Sequence, residues 1–249
     1  MANKLTQDAW LGQVREPIID ADRPICDPHH HLWDHDDNPY LLPELLADMS
    51  DGHHVVSTVF MECGAMYRAE GPVAEAPLGE TEFVNGVAAM SRSGLYGPAR
   101  LCTGIFSTAD LRLGDRAEDI LTAHLQASSN FRGIRSAFPA DLNETFLTGF
   151  SLLEKYNLAY DNWSPDFTRL PRLADLANKN PGVTVIVNHL GGKIDPSADE
   201  EELSVWREAI DSVAACSNTV MKLGGAQMRV GDWEPPYHMH KADSPWDSD

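Results

Sequence analysis

Three histidines in this chain stand where imidazoles could work together. In Asp27-Pro28-His29-His30-His31, Asp27, His29 and His31 are spaced two apart at the end of an apolar run. In extended backbone that spacing puts those three side chains on one face and turns His30 to the other. Two imidazoles on one face suit a divalent metal or the polarisation of a carbonyl. His189, in Val187-Asn188-His189-Leu190-Gly191-Gly192, closes another apolar run. Alone it reads as a structural residue; beside the first cluster it is a candidate ligand, proton shuttle or carbonyl polariser.

Four charged residues occupy comparable places. Glu62 ends one run, Arg135 ends Phe131-Arg132-Gly133-Ile134-Arg135, Asp161 ends a third, and Lys222 lies in the last. Singly, each could cap a helix or make a surface pair. Together, beside three histidines, they read as substrate-binding residues. An arginine so placed suits a substrate carboxylate, because its fork binds both oxygens at once. Two further histidine groups carry less. His53-His54 precedes a strand and reads as solvated, and His238-Met239-His240 has metal-like spacing but lies in a Pro-rich stretch without strand context.

The elements that must position these residues alternate. Apolar, β-branched runs predict strands over 25–29, 55–63, 100–105, 131–135, 158–161, 183–188 and 219–223. Helical patterns fall between them at 80–93, 120–126, 146–156, 170–178 and 201–215. The first places Phe83, Val87 and Met90 on one stripe, the last Leu203, Trp206, Ile210 and Val213. Strand and helix in repeated alternation predict a parallel α/β fold, whose active sites form at the C-terminal ends of the strands. Neither phosphate-binding glycine motif of nucleotide-binding folds follows a strand. Gly191-Gly192 and Gly224-Gly225 read as tight turns. Nothing after Leu223 reads as a strand, so the expected architecture is a (β/α)8 TIM barrel truncated after its seventh strand.

A length of 249 residues, 43% hydrophobic, suits one barrel domain over 24–249 preceded by an N-terminal arm, 1–23, with no readable function. Lys and Arg number 19 against 38 Asp and Glu, a formal charge of -19. Such a surface repels phosphates and anionic lipid, which argues against nucleic-acid and membrane partners. A small anionic substrate is still allowed, because a few cations can dominate inside a cleft. The four cysteines form no C-x-x-C pair, which fits a reducing compartment, and the first twenty residues read as neither signal peptide nor membrane span. The expected location is the cytoplasm. A homo-oligomer is left open.

Asp27-Pro28-His29-His30-His31-Leu32-Trp33, Phe131-Arg132-Gly133-Ile134-Arg135, Asn188-His189-Leu190-Gly191-Gly192 and Lys222-Leu223-Gly224-Gly225, in that order, resemble the amidohydrolase-related family of the amidohydrolase superfamily. More narrowly, they are similar to its predicted metal-dependent hydrolases of the sugar-lactonase and dicarboxylate-lactone hydrolase kind. The resemblance runs from about Pro24 to Gly225. It implies a (β/α)8 barrel that hydrolyses a C–O or C–N bond in a small, often carboxylated molecule, with lactones favoured. It matches His29, His31 and His189 to the family's strand-end histidines, as metal ligands or carbonyl polarisers, and Arg135 to the place where relatives bind an acidic group. Two departures qualify it. Tyr160-Asp161-Asn162-Trp163 stands where firmly metallated members carry a fifth-strand histidine, so a divalent metal, zinc or manganese, is left open. The eighth-strand aspartate that takes a proton from water has no counterpart. Two other readings follow: a metal-dependent decarboxylase on the same barrel, and a catalytically inactive fragment or binding module.

Overall fold

A computed structural model describes residues 16–35, 38–194 and 198–225. The seven expected strands are all present: β1 (Ile25–His30), β4 (Val55–Met61), β5 (Arg100–Ser107), β6 (Phe131–Ser136), β7 (Ala159–Asn162), β8 (Val185–Val187) and β9 (Thr219–Met221). Among the described residues they form one sheet in the order β1-β4-β5-β6-β7-β8-β9, every pair parallel. Laid flat, six strand spacings would hold β1 and β9 roughly 29 Å apart. Instead Lys222, just past β9, reaches His29 on β1 with Nζ 3.3 Å from Nδ1. The sheet is therefore curled, and the fold is an α/β (β/α)8-type barrel with seven strands described.

Five of the helices fall where the sequence puts them: α2 (Leu78–Arg92), α3 (Ala117–Ala127), α4 (Glu144–Lys155), α5 (Leu170–Lys179) and α6 (Glu200–Ala214). Their starts have local causes. Asn143 accepts from the Phe146 N–H at the head of α4, and Asp199 accepts from the Glu202 N–H at the head of α6. The helices pack outside the sheet. One apolar cluster joins β6, β7 and β8 to α3, α4, α5 and α6, and a smaller one joins β4 and β5 to α2. On α6, Trp206, Ile210 and Val213 meet the core as the stripe predicts. On α2 the stripe is displaced: Val84, Val87 and Ala88 are buried, whereas Met90 is 41% exposed.

Two elements have no counterpart in the sequence reading. A small antiparallel hairpin, β2 (Trp33–His35) with β3 (Asn38–Tyr40), follows β1, and a short helix, α1 (Leu42–Met49), follows it. At three and eight residues they are too short to show a period. Helix α1 is set by Pro43 in its first turn and by Glu44, which accepts from the Leu41 N–H.

The glycine of Phe131-Arg132-Gly133-Ile134-Arg135 has a packing reason. A Cβ at Gly133 would stand 2.6 Å from Phe106 Cε1 and press on the Ala159 carbonyl, so only glycine lets β6 sit between β5 and β7. Of the cysteines, Cys102 and Cys216 are buried, Cys63 is half-buried, Cys26 is exposed, and all four are free thiols. No described helix is long and apolar enough to cross a membrane.

Candidate active site

Strand β1 divides its residues as period-two geometry demands. His30 turns into the outer core, where it hydrogen-bonds Thr58 Oγ1 at 2.8 Å and meets the Phe60 ring edge-on. His29 and His31 turn inward. Asp27, two residues before His29, accepts from the His29 N–H at 3.0 Å, and the pairing of β1 with β4 slips between Asp27 and His30.

The inward imidazoles have different partners. His31 Nδ1–H donates to the Met61 carbonyl at 2.7 Å, which leaves its Nε2 bare. His29 Nε2 lies 3.2 Å from that nitrogen. His189 Nδ1–H donates to the Gly224 carbonyl at 2.8 Å, and its ring centroid is 4.8 Å from that of His29. Burial, reinforced by the Lys222 charge, pushes His29 down to about 2; burial, opposed by the Met61 bond, pushes His31 down to about 4. Both are neutral imidazoles near pH 7. His189 and Leu190 adopt φ of 44° and 58°, in the left-handed region. Gly191 and Gly192 complete the turn as the sequence predicts, and a Cβ at Gly192 would stand 2.6 Å from the Phe167 nitrogen.

A cavity of about 710 Å³ opens on these groups. His29, His31, His189 and Lys222 line it together with Asp27, and its walls include Val59, Phe106, Ile186 and Met221. An apolar cavity with a few convergent polar groups is the usual form of a small-molecule site. The remaining charged candidates are not among the residues that line this cavity. Asp161 is fully buried, with Oδ2 2.7 Å from Lys222 Nζ and a short hydrogen bond from the Asn188 amide. Arg135 stands between carboxylates, 3.8 Å from Glu62 and 3.9 Å from Asp161, and donates to the Glu62 carbonyl at 2.5 Å. Its Nε–H is buried without a hydrogen-bond partner. His53 and His54 are exposed and away from the cavity, while His238 and His240 lie outside the described residues.

The fit to a divalent metal is partial. Two imidazole nitrogens on one tetrahedral zinc, at Zn–N distances near 2.05 Å, are separated by about 3.3 Å. The His29–His31 spacing of 3.2 Å matches that bite. Among the described residues, however, no group of three His, Cys, Asp or Glu side chains comes together to hold an ion. His29 also presents Nδ1 to a lysine ammonium, which requires a lone pair there and a proton on Nε2. As arranged, these residues do not make up a metal site.

Two participants were not singled out from the sequence. Met61 supplies both its carbonyl to His31 and its sulfur to Lys222, at 3.1 Å. Its place two residues after Val59 on one strand face was the available signal, masked by the charge of neighbouring Glu62. Glu80, at the head of α2, is fully buried. Its Oε1 accepts from the N–H groups of Cys63 and Ala65 at 3.0 and 2.9 Å, shaping the turn that carries Glu62, and Oε2 has no hydrogen-bond partner.

Burial pushes the Glu80 carboxyl up to about 7; the two backbone donors oppose this and the Glu62 charge adds to it. A folded value above the ordinary 4.5 means that the stability from protonated Glu80 is complete below about pH 4.5 and is lost as pH rises through about 7. Relative to Glu80→Gln, the natural chain should lose about 3 kcal/mol between about pH 4.5 and pH 8. Urea unfolding of both at the two pH values checks this; parallel pH profiles would show that Glu80 is as well stabilised ionised as neutral.

The amidohydrolase family profile matches residues 26–246. The chain belongs to the amidohydrolase family. As an amidohydrolase it is a hydrolase, which agrees with the class the resemblance implies. Relatives of known sequence include the uncharacterized protein y4mH of Sinorhizobium fredii, 29% identical over 249 aligned residues that cover 86% of this chain and 76% of that one. Among solved structures, an amidohydrolase from Burkholderia multivorans with bound zinc is similar at a TM-score of 0.62 and 18% identity, over 82% of this chain and 71% of that one. A probable 2-pyrone-4,6-dicarboxylic acid hydrolase from Acinetobacter baumannii with citric acid bound is similar at 0.59 and 14%, over 83% and 72%. At these identities the two structures share the amidohydrolase's fold.

Proposed function

We propose that this amidohydrolase opens a small lactone by adding water to its carbonyl, and that the substrate carries a carboxylate. The observation that carries the reading is the unequal hydrogen bonding of imidazoles at one cavity. His29 carries its proton on Nε2, whereas His189 carries its proton on Nδ1, held by a backbone carbonyl, and so has its lone pair on Nε2. The first is a donor for a carbonyl oxygen and the second an acceptor for a water proton. In the resting site His29 Nε2–H rests on His31 Nε2. Substrate takes over that donor.

Water attacks the lactone carbonyl carbon while His189 Nε2 takes one of its protons and His29 Nε2–H stabilises the charge growing on oxygen. The ring C–O bond then breaks, and His189 returns the proton to the departing oxygen. The product is a hydroxy acid. Lactones and carboxylated substrates are favoured by the shared fold with the dicarboxylic acid hydrolase. Arg135 is assigned to the substrate carboxylate, because it keeps a buried Nε–H without an acceptor and its ion pairs are longer than hydrogen bonds. The carboxylate would bind where Glu62 now approaches it.

Acid release at constant pH, followed over carboxylated and uncharged lactones of equal ring size, tests this. Carboxylated lactones should turn over at least about 10-fold more efficiently, the equivalent of one charge-assisted contact. No ring opening with either class, or carbon dioxide release without ring opening, would overturn the reading, the latter in favour of decarboxylation.

A further inference from the structure

Lys222 has no assigned part in the chemistry above, yet its surroundings are complete. An ammonium has three N–H donors and no acceptor. Lys222 Nζ has three acceptors around it: Asp161 Oδ2 at 2.7 Å, Met61 Sδ at 3.1 Å and His29 Nδ1 at 3.3 Å. The lysine side chain is 10% exposed and the Asp161 side chain is fully buried, so water offers little alternative. With an N–H pointed at it, His29 Nδ1 must present its lone pair, and the proton of the neutral ring resides on Nε2. Every neighbour agrees with that choice. Nε2–H has His31 Nε2 as its acceptor at 3.2 Å, and that nitrogen is bare because His31 Nδ1–H is held by the Met61 carbonyl at 2.7 Å.

We infer that Lys222, braced by Asp161, is a positioning residue that locks His29 as the Nε2–H tautomer, and that the lock excludes His29 from metal ligation in this chain. To ligate through Nε2, His29 would have to move its proton to Nδ1, where it would meet the ammonium donor to donor. The His29–His31 pair therefore has the spacing of a zinc bite and the wrong proton for one. The use of His29 as a donor to substrate rests on the hydrolytic reading above; the tautomer does not.

The test uses the full chain with 15N-labelled histidine and long-range proton–nitrogen correlation spectra. A His29→Asn variant assigns the His29 signals by their loss. His29 should show a bare Nδ1 and a protonated Nε2, with His31 and His189 showing the reverse. Lys222→Met should release His29 from the Nε2–H form and raise zinc affinity, measured by competition with a chromophoric chelator, by at least about 10-fold. Lys222→Arg, which keeps donors at that place, should retain the natural pattern. A natural chain whose His29 carries its proton on Nδ1, or whose His29 Nε2 signal shifts on taking up one equivalent of zinc, overturns the inference. The natural chain's spectrum decides this even where Lys222→Met does not fold. Absence of lactone opening alongside the expected spectrum would count against the proposed reaction and not against the lock.

Discussion

His189→Asn is expected to lower the turnover number about 100- to 10,000-fold, the usual contribution of a positioned general base. The substitution is chosen for its backbone. His189 sits at φ 44° and is followed by Leu190 at 58°, and asparagine tolerates that left-handed region better than other residues with a Cβ. The cavity wall and the turn at Gly191-Gly192 should therefore survive, while the imidazole nitrogen assigned to take the water proton is gone. Substrate affinity should change little, because His189 acts on water. Steady-state rates on a carboxylated lactone, together with urea midpoints, separate the two effects. An unchanged turnover number would remove His189 from the reaction, and a lost folding transition would make it structural instead.

Asp161→Ala should have the largest effect on stability, about 3–5 kcal/mol, the typical cost of leaving one member of a buried ion pair without its partner. Asp161 is fully buried, answers the Lys222 ammonium at 2.7 Å and lies 3.9 Å from Arg135. Its removal leaves the Lys222 ammonium without a carboxylate and Arg135 with Glu62 alone, where burial already lowers the Lys222 pKa, a trend that Asp161 now opposes. A loss of this size is a large fraction of the net stability of an ordinary domain. Chemical denaturation of the variant checks it, with Asp161→Asn as the milder comparison, since an amide keeps one acceptor oxygen for the ammonium. A loss below about 1 kcal/mol would show that water replaces the carboxylate and that the pair is more exposed than its geometry indicates.

The strands were legible because each is a run of apolar, β-branched residues bounded by turn residues, and that pattern is local. The helix stripes were legible for the same reason, except on α2, where Met90 is exposed and Val84 takes its place in the core. Period alone does not say which of two adjacent apolar rows faces the sheet; contact with β4 and β5 does. The hairpin at Trp33–Tyr40 and helix α1 were hidden because their few residues carry no period. Arg135, Glu62 and Asp161 were legible as charges at strand ends. That Arg135 pairs with both Glu62 and Asp161 depends on β6 lying beside β7 and one strand from β4, across β5.

By itself the sequence determined which residues come to the strand ends and which face each takes on β1, because a two-residue period in extended backbone is a local property. It also determined the chemical class, through the ordered motifs that resemble the amidohydrolase-related family. Only the tertiary structure decided where the protons sit. His31 takes its partner from 30 residues away, His189 from 35 and His29 from 193. An imidazole is donor or acceptor according to the atom facing its other nitrogen, and those atoms meet only when the sheet curls and brings its two edges together.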